Sequence, residues 1–448
     1  MQSYFLKNAT VFNENKQQIL NILIVGETIS KIFNPTDVVE LPKNCIEIDL
    51  TNKWILPGAI DDQVHFRDPG MPDKANMETE SRSAVAGGVT SFMDMPNTIP
   101  NVLTQEILED KYAYGTTKSL ANFSFYMGTS NNNVEEVLKT NPKNVCGIKI
   151  FLGASTGNML VDNMDTLGKV FAYAPTLVAV HCEDEPTIQA NLTEFKNKYD
   201  EDIPMESHPL IRSHKACYLS SSFAVNLAKK LGTRLHVLHL STAQEMDLFQ
   251  NDLPLEDKKI TAEVCVHHLW FNDKDYQKKG SLIKWNPAIK TQKDANALLN
   301  ALNDNKIDVI ATDHAPHQFS EKQNKYLKAP SGAPMVQHSL VTMLEMAKQG
   351  KININKVVEK MSHHPAQLFK IEKRGFIKEG YFADLAIIDP NKTWEVKKEN
   401  ILYKCGWSPL EGQVFSHQVV STFVNGHLAY NKGQFNETVK GKRLTFNR

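Results

Sequence analysis

The stretch GAIDDQVHFRDPG, Gly58–Gly70, begins apolar and ends in a dense set of polar side chains: Asp61, Asp62, Gln63, His65, Arg67 and Asp68. A buried strand that gathers polar residues at its C-terminal end suits a parallel sheet whose strand ends build a site. The pattern repeats along the chain. WILPGAI runs into this stretch, and seven further apolar runs follow: VTSFMDM, NFSFYM, VCGIKIFL, TLVAV, RLHVLHL, ITAEVCV and IDVIAT. Most are separated by segments with helical spacing, such as METESRSAVAGG and SSFAVNLAKKLG. Eight strand–helix units in roughly 320 residues predict an α/β fold, a closed (β/α)8 TIM barrel. Gly87 and Gly88 fit a helix stop before the second strand. The polar clusters DMPN, HCED, HLST, HH and TDHAPH follow the second, fifth, sixth, seventh and eighth runs, at the barrel end where such folds hold their active sites.

Both ends of the chain read differently. ATVFN, QILNILIVGETISKIF and CIEIDL at the start are β-rich runs split by turn residues. ADLAIIDP, TWEVKKENILY and QVVSTFVNGHLAYNKGQF near the end have the same character. GETI and VNGHL have the composition of tight hairpin turns. The expected layout is a small discontinuous β domain from residues 1–54 and 376–448 around a barrel at 55–375. The 448 residues carry a formal net charge of -1, with 41% hydrophobic and 23% charged residues, the profile of a soluble globular protein with no field for nucleic acid or anionic membrane. The six cysteines are scattered without a CxxC pair, which fits a reducing cytoplasm. The first residues lack a signal-peptide pattern, and no apolar run approaches the roughly 20 residues of a membrane span.

His65, His181, His239 and Asp313 come from four different strand ends, and imidazole with carboxylate suits a borderline divalent cation such as Zn2+. A single histidine is more often a packing residue; four at matching barrel positions point to a metal centre. His236 lies on the opposite face from its odd-numbered neighbours and reads as structural, while His267 and His268 read as supports for the centre. Lys149, inside the apolar GIKIFLG, is either ion-paired or functional. Burial favours its neutral amine, which can add carbon dioxide to give a carbamate able to bridge two metal ions.

These motifs resemble the amidohydrolase superfamily and, within it, the dihydroorotases. The resemblance rests on DDQVHFRDPG, GGVTSFMDMPNT, GIKIFLG, VAVHCEDE, HVLHLSTA, TAEVCVHHL, KWNPAIK and IDVIATDHAPH, in this order. It implies a barrel with a small β-sandwich made from both chain ends, one or two zinc ions, N6-carboxylated Lys149, and a homodimer. The implied reaction is the reversible hydrolysis of dihydroorotate to N-carbamoyl-aspartate in pyrimidine biosynthesis. A divalent metal there activates water and polarises the amide carbonyl. By the same resemblance Asp313 is both ligand and general acid/base, and Arg67 offers a cationic fork to the substrate carboxylate. Asn97 and His317 match further carboxylate contacts, and Asn286 matches a contact near the pyrimidine ring. Without the resemblance, Asn97 and Asn286, each beside a proline, read equally well as turn residues. His317–Pro334 reads as a substrate-covering loop or an exposed excursion.

By the same resemblance, most relatives carry Asp-x-His-x-His where this chain has Asp61, Asp62, Gln63, Val64 and His65. Strand alternation puts 61, 63 and 65 on one face, so Gln63 stands at a metal-ligand position. One metal site is then weak, or Asp61 or Gln63 serves as a further ligand, or the chain is an inactive relative that supports a partner. Retention of Arg67, Lys149, His181, His239 and Asp313 favours an active enzyme. The other alternative is a neighbouring cyclic amidase, an allantoinase or hydantoinase. Arg67 favours a carboxylated substrate over that of a hydantoinase and does not by itself separate an allantoinase.

Overall fold

The computed structural model describes residues 2–153 and 159–448. The run WILPGAI divides at Gly58 between two sheets. Trp54–Pro57 pairs with Ser3–Asn13 and with Leu385–Asp389, whereas Ala59–Val64 pairs in parallel with Val89–Asp94. A Cβ at Gly58 would lie 2.1 Å from Thr90 Oγ1, so only glycine fits where the chain crosses between them. The expected single strand is thus two, each apolar because each enters a different core.

The barrel strands are β1 (Ala59–Val64), β2 (Val89–Asp94), β3 (Asn122–Phe125), β4 (Ile148–Phe151), β5 (Val178–His181), β6 (Leu235–Val237), β7 (Ile260–Cys265) and β8 (Val309–Ala311). They run parallel in sequence order, with Met127–Gly128 joining β3 to β4. A parallel bridge from Val64 to His314 closes the ring, and His65 N donates to His314 O at 2.7 Å. Almost every strand residue is buried, as a sheet covered by helices on one face and filled inside requires. The covering helices start where the sequence supplies caps. Asn76 caps Met77–Ala86 in a capping box with Thr79, and Ser213 caps His214–Leu231, which ends at Gly232 with φ 73°.

Strands from both chain ends share a nine-stranded sheet in which Trp54–Pro57 lies between Ser3–Asn13 and Leu385–Asp389. Its core includes Leu6, Ile22, Ile24, Ile55, Ile387 and Phe423. The NG turn forms as its composition predicts, with Asn425 and Gly426 at φ 50° and 71°. In TWEVKKENILY only Trp394–Glu395 is a strand; Asn400 Oδ1 accepts from Lys397 N at 2.9 Å and turns the chain. The last residues leave the sheet for the base of the barrel. Leu444 N donates to Phe123 O at 2.8 Å, and Leu444 and Phe446 pack with Tyr126 and Phe369. No helix among the described residues is long and apolar enough to cross a membrane.

Candidate metal centre and active site

At the C-terminal end of the barrel lies a cavity of about 600 Å3. Gln63, His65, Arg67, Asn97, Lys149, His181, His239, Asn286, Asp313 and His317 all line it, although they come from widely separated parts of the chain. Three of them sit at backbone positions that favour glycine: Arg67 at φ 62°, His239 at 38° and Asp313 at 45°. Such strain persists where the surroundings hold it, and each residue lies just beyond a strand end and turns its side chain into the cavity.

His181 and His239 form one pair, with His181 Nδ1 2.9 Å from His239 Nε2. His181 Nε2 faces Glu183 Oε2 at 3.1 Å, and Glu183 is itself paired with Arg212. That chain places the His181 proton on Nε2 and turns its Nδ1 lone pair inward. Burial pushes His181 down and His239 well down from the ordinary imidazole range, favouring the neutral form that binds metals. His239 N donates to Glu263 Oε1 at 2.8 Å, while its Nδ1 has no hydrogen-bond partner.

Lys149 is 1% exposed on β4, and its Nζ makes no hydrogen bond. Burial pushes its ammonium down to about 7, with Asp313 and Glu263 opposing the fall. The Phe151 ring centroid lies 4.6 Å from Nζ. A buried amine this easily neutralised is chemically unlike a structural ion-paired lysine.

The other pair is His65 and Asp313. His65 Nδ1 lies 2.8 Å from Asn97 Oδ1, which makes Nδ1–H the donor and leaves Nε2 3.1 Å from Asp313 Oδ1. Two acceptors at that distance match neighbouring ligands on a tetrahedral cation with bonds of about 2.0–2.2 Å. Gln63 intrudes here: its Nε2 donates to the same Asp313 Oδ1 at 3.1 Å. Asp61 is not among the residues lining the cavity. Its Oδ1 accepts from Gln63 N and Thr312 N, each at 3.2 Å, and its Oδ2 from Thr312 Oγ1 at 2.6 Å. The carboxylate therefore ties β1 to the end of β8.

The remaining wall is cationic. Arg67 Nε donates to Pro316 O at 3.1 Å, and its other nitrogen lies 3.0 Å from His317 Nε2. Burial lowers Arg67 to about 10, which leaves it charged at neutral pH. Lys74 Nζ is 3.0 Å from His317 Nδ1. Burial and the charges of Arg67 and Lys74 push His317 well down, so it is neutral. The segment from His317 to Pro334 is pinned in place. Lys322 Nζ donates to Pro330 O at 2.7 Å and Gly332 O at 2.8 Å, and Lys284 Nζ to Tyr326 O and Ala329 O at 2.7 and 2.6 Å. It brings Pro330, Ser331 and Gly332 to the cavity as a fixed wall.

Arg212 and Lys74 carried no signal in the sequence, and Ser331 reads there only as part of the segment His317–Pro334. Arg212 lies between helices, and only the HCED cluster hinted at Glu183. His268 Nε2 faces Pro287 O at 3.1 Å, and His267 stacks on Trp285 at 4.0 Å and 4°. Trp285 Nε1 in turn donates to Asp313 O at 3.4 Å, so His267 backs the centre at one remove.

The donor chemistry fits a divalent metal: two pairs of ligand atoms, an unpartnered buried amine and neutral imidazoles. Residues 54–429 match the amidohydrolase family. The dihydroorotase of Methanosarcina acetivorans is 32% identical over 92% of this chain and 89% of its own length. That of Thermococcus kodakarensis is 32% identical over 95% and 96%. Among solved structures, the L-hydantoinase (dihydropyrimidinase) of Arthrobacter aurescens superimposes with a TM-score of 0.92 at 26% identity, covering 99% of this chain and 100% of that one. The dihydropyrimidinase of Brevibacillus agri gives 0.88 at 23% identity, with all of both chains covered. These folds combine the amidohydrolase TIM barrel with a β-sandwich, as here. On sequence, architecture and the convergence at the barrel rim, the chain belongs to the amidohydrolase family, in its dihydroorotase branch.

Proposed function

We propose that the chain is a dihydroorotase, catalysing the reversible hydrolysis of the cyclic amide of (S)-dihydroorotate to N-carbamoyl-L-aspartate in pyrimidine biosynthesis. The observation that carries the choice of substrate is the buried, charged Arg67 beside His317 in the same cavity as Lys149, His181, His239 and Asp313. A fixed guanidinium in a low-dielectric wall recognises a carboxylate and gains nothing from an uncharged ring.

Lys149, as its carbamate, with His181, His239, His65 and Asp313 would hold one or two zinc ions. Bound there, a divalent metal supplies a Lewis acid for the amide carbonyl and lowers the pKa of water to about 7. In hydrolysis, water oxygen bonds to the carbonyl carbon, the ring C–N bond breaks, and the proton lost by water ends on the departing nitrogen. Asp313 carries that proton on a carboxylate oxygen, as general base and then general acid. Gln63 holds the carboxylate in place by donating from Nε2 to Oδ1. Asn286 Oδ1 is buried without a hydrogen-bond partner and can accept from a ring N–H. Arg67, Asn97 and His317 bind the carboxylate, and the Pro330–Gly332 wall limits the entry of water. We place the enzyme in the cytoplasm as a homodimer acting on small molecules.

A second reading has a specific observation behind it: the 0.92 superposition with an L-hydantoinase. Purified protein supplied with Zn2+ and bicarbonate should turn over dihydroorotate with a kcat/KM far above those for hydantoin, dihydrouracil and allantoin. Faster turnover of any of those three would replace the dihydroorotase reading. A zinc-free protein inactive on all four would make the chain a supporting subunit.

A further inference from the structure

Three polar side chains inside the barrel take no part in the chemistry of the rim. Asp62 on β1, His236 on β6 and Glu263 on β7 are each 0% exposed. His236 lies on β6, three residues before His239. The Phe369 ring, 5.9 Å from that of His236, belongs to the apolar floor below. His236 Nε2 lies 3.2 Å from Asp62 Oδ2 and 3.7 Å from Glu263 Oε2, and one donor atom from each residue falls within 4.8 Å of the others.

The outward-facing atoms of this cluster are already used. Thr261 Oγ1 donates to Leu235 O at 3.2 Å and so accepts from His236 Nδ1–H at 2.8 Å. Glu263 Oε1 accepts from His239 N at 2.8 Å and from Cys265 Sγ at 3.6 Å. The inward-facing atoms are not used: both oxygens of Asp62, Glu263 Oε2 and His236 Nε2 have no hydrogen-bond partner. Thr261 therefore fixes the ring so that His236 Nε2 points toward two carboxylates.

Charge makes the arrangement costly as it stands. Burial lowers His236, but Asp62 and Glu263 outweigh it and raise the imidazole to about 9. Two ionised carboxylates beside one imidazolium leave a net negative charge in an apolar interior, relieved by a further proton or by a cation. A divalent cation with a neutral imidazole leaves none. Nitrogen and oxygen ligands about 2.0–2.2 Å from a tetrahedral ion lie about 3.3 Å apart, close to the observed spacings.

We propose that Asp62, His236 and Glu263 form a second divalent-cation site of zinc-like preference, buried beneath the rim centre, where it ties β1 to β6 and β7. It does not depend on the substrate assigned to the rim. The test uses the full-length protein crystallised with Zn2+, with diffraction collected at the zinc absorption edge. The expected result is an anomalous peak about 2 Å from His236 Nε2 and from a carboxylate oxygen of Asp62 and Glu263, separate from any peak at His181 and His239. A loaded rim with no peak at the three residues, only solvent or nothing, overturns the site. In solution, His236→Gln should lower the zinc content by one equivalent per chain, whereas His181→Asn with His239→Asn should leave that equivalent in place. Unchanged zinc content in folded His236→Gln protein also overturns it. The diffraction measurement on unaltered protein decides the matter if the variant does not fold.

Discussion

The two halves of the rim centre are built from similar residue types but are left in opposite states. Around Lys149, His181 and His239, polar atoms are buried and unpaired: Lys149 Nζ and His239 Nδ1 have no hydrogen-bond partner. Around Gln63, His65 and Asp313, the protein supplies its own partners: Gln63 Nε2 donates to Asp313 Oδ1 at 3.1 Å, and Asn97 Oδ1 accepts from His65 Nδ1–H at 2.8 Å. An imidazole at position 63 would offer a lone pair; the amide there offers an N–H. One residue thus turns a ligand position into a donor, and the halves should differ in their hold on a cation.

The sharpest way to break this comparison is to remove chemistry from each half in turn. Lys149→Met removes the amine of the first half, and both bound zinc and turnover should collapse together. Asp313→Asn removes the proton carrier of the second half. It should lower kcat by about 10²–10⁴-fold while leaving zinc at Lys149, His181 and His239. Elemental analysis beside steady-state kinetics separates the two. Equal zinc loss in both variants would mean that the halves are one site with no internal difference.

Arg67→Lys comes next in size. It keeps the charge and removes the fork, which is worth about 1.5–3 kcal/mol to a carboxylate, or roughly 10- to 150-fold. KM for dihydroorotate should rise by that order, with kcat less affected. If KM for dihydroorotate does not move, the cationic wall is not the carboxylate site.

Much of this layout was legible beforehand because a barrel imposes a simple rule. Each strand is buried on both faces and ends in polar residues at one rim, so periodicity and position together locate the centre. Lys149 stood out as a charge inside an apolar strand. Partners brought in by connecting segments obey no period. Arg212 reaches Glu183 from a stretch between helices, and Lys74 reaches His317 across more than two hundred residues. The split of WILPGAI was hidden for a related reason: two strands of different sheets, joined at Gly58, share one apolar composition. His236 reads as structural in the sequence, and its acidic partners were not legible. Strand alternation set it apart from His239 and suggested packing, whereas Asp62 and Glu263 turn toward it from β1 and β7.

Gln63→His restores the missing imidazole and should sharpen the contrast by abolishing it. A new lone pair in place of the amide N–H should tighten the second cation by about tenfold, with the first little changed. Zinc titration of the metal-free protein should pass from two unequal affinities, or one, to two similar ones. An unchanged titration would show that position 63 does not set the asymmetry.

The smallest expected effect concerns protons, and it belongs to the Lys149 half alone. Carbon dioxide adds only to a neutral amine. Burial lowers the Lys149 ammonium to about 7, so the reactive fraction is half at that pH and roughly one-tenth a unit below. An exposed lysine, near 10.4, would be almost wholly protonated across the same interval. Incorporation of 13C from labelled bicarbonate into the metal-free protein, read by NMR, should therefore rise as pH increases from about 6 to about 8 and then level off. Zinc uptake at His181 and His239 should follow the same curve, because the carbamate completes that half. Uptake assigned to His65 and Asp313 should not follow it. A carbamate signal that is flat over this range, or absent in protein that still binds zinc at His181 and His239, would remove the modified lysine from the centre and leave the two imidazoles to hold the cation without it.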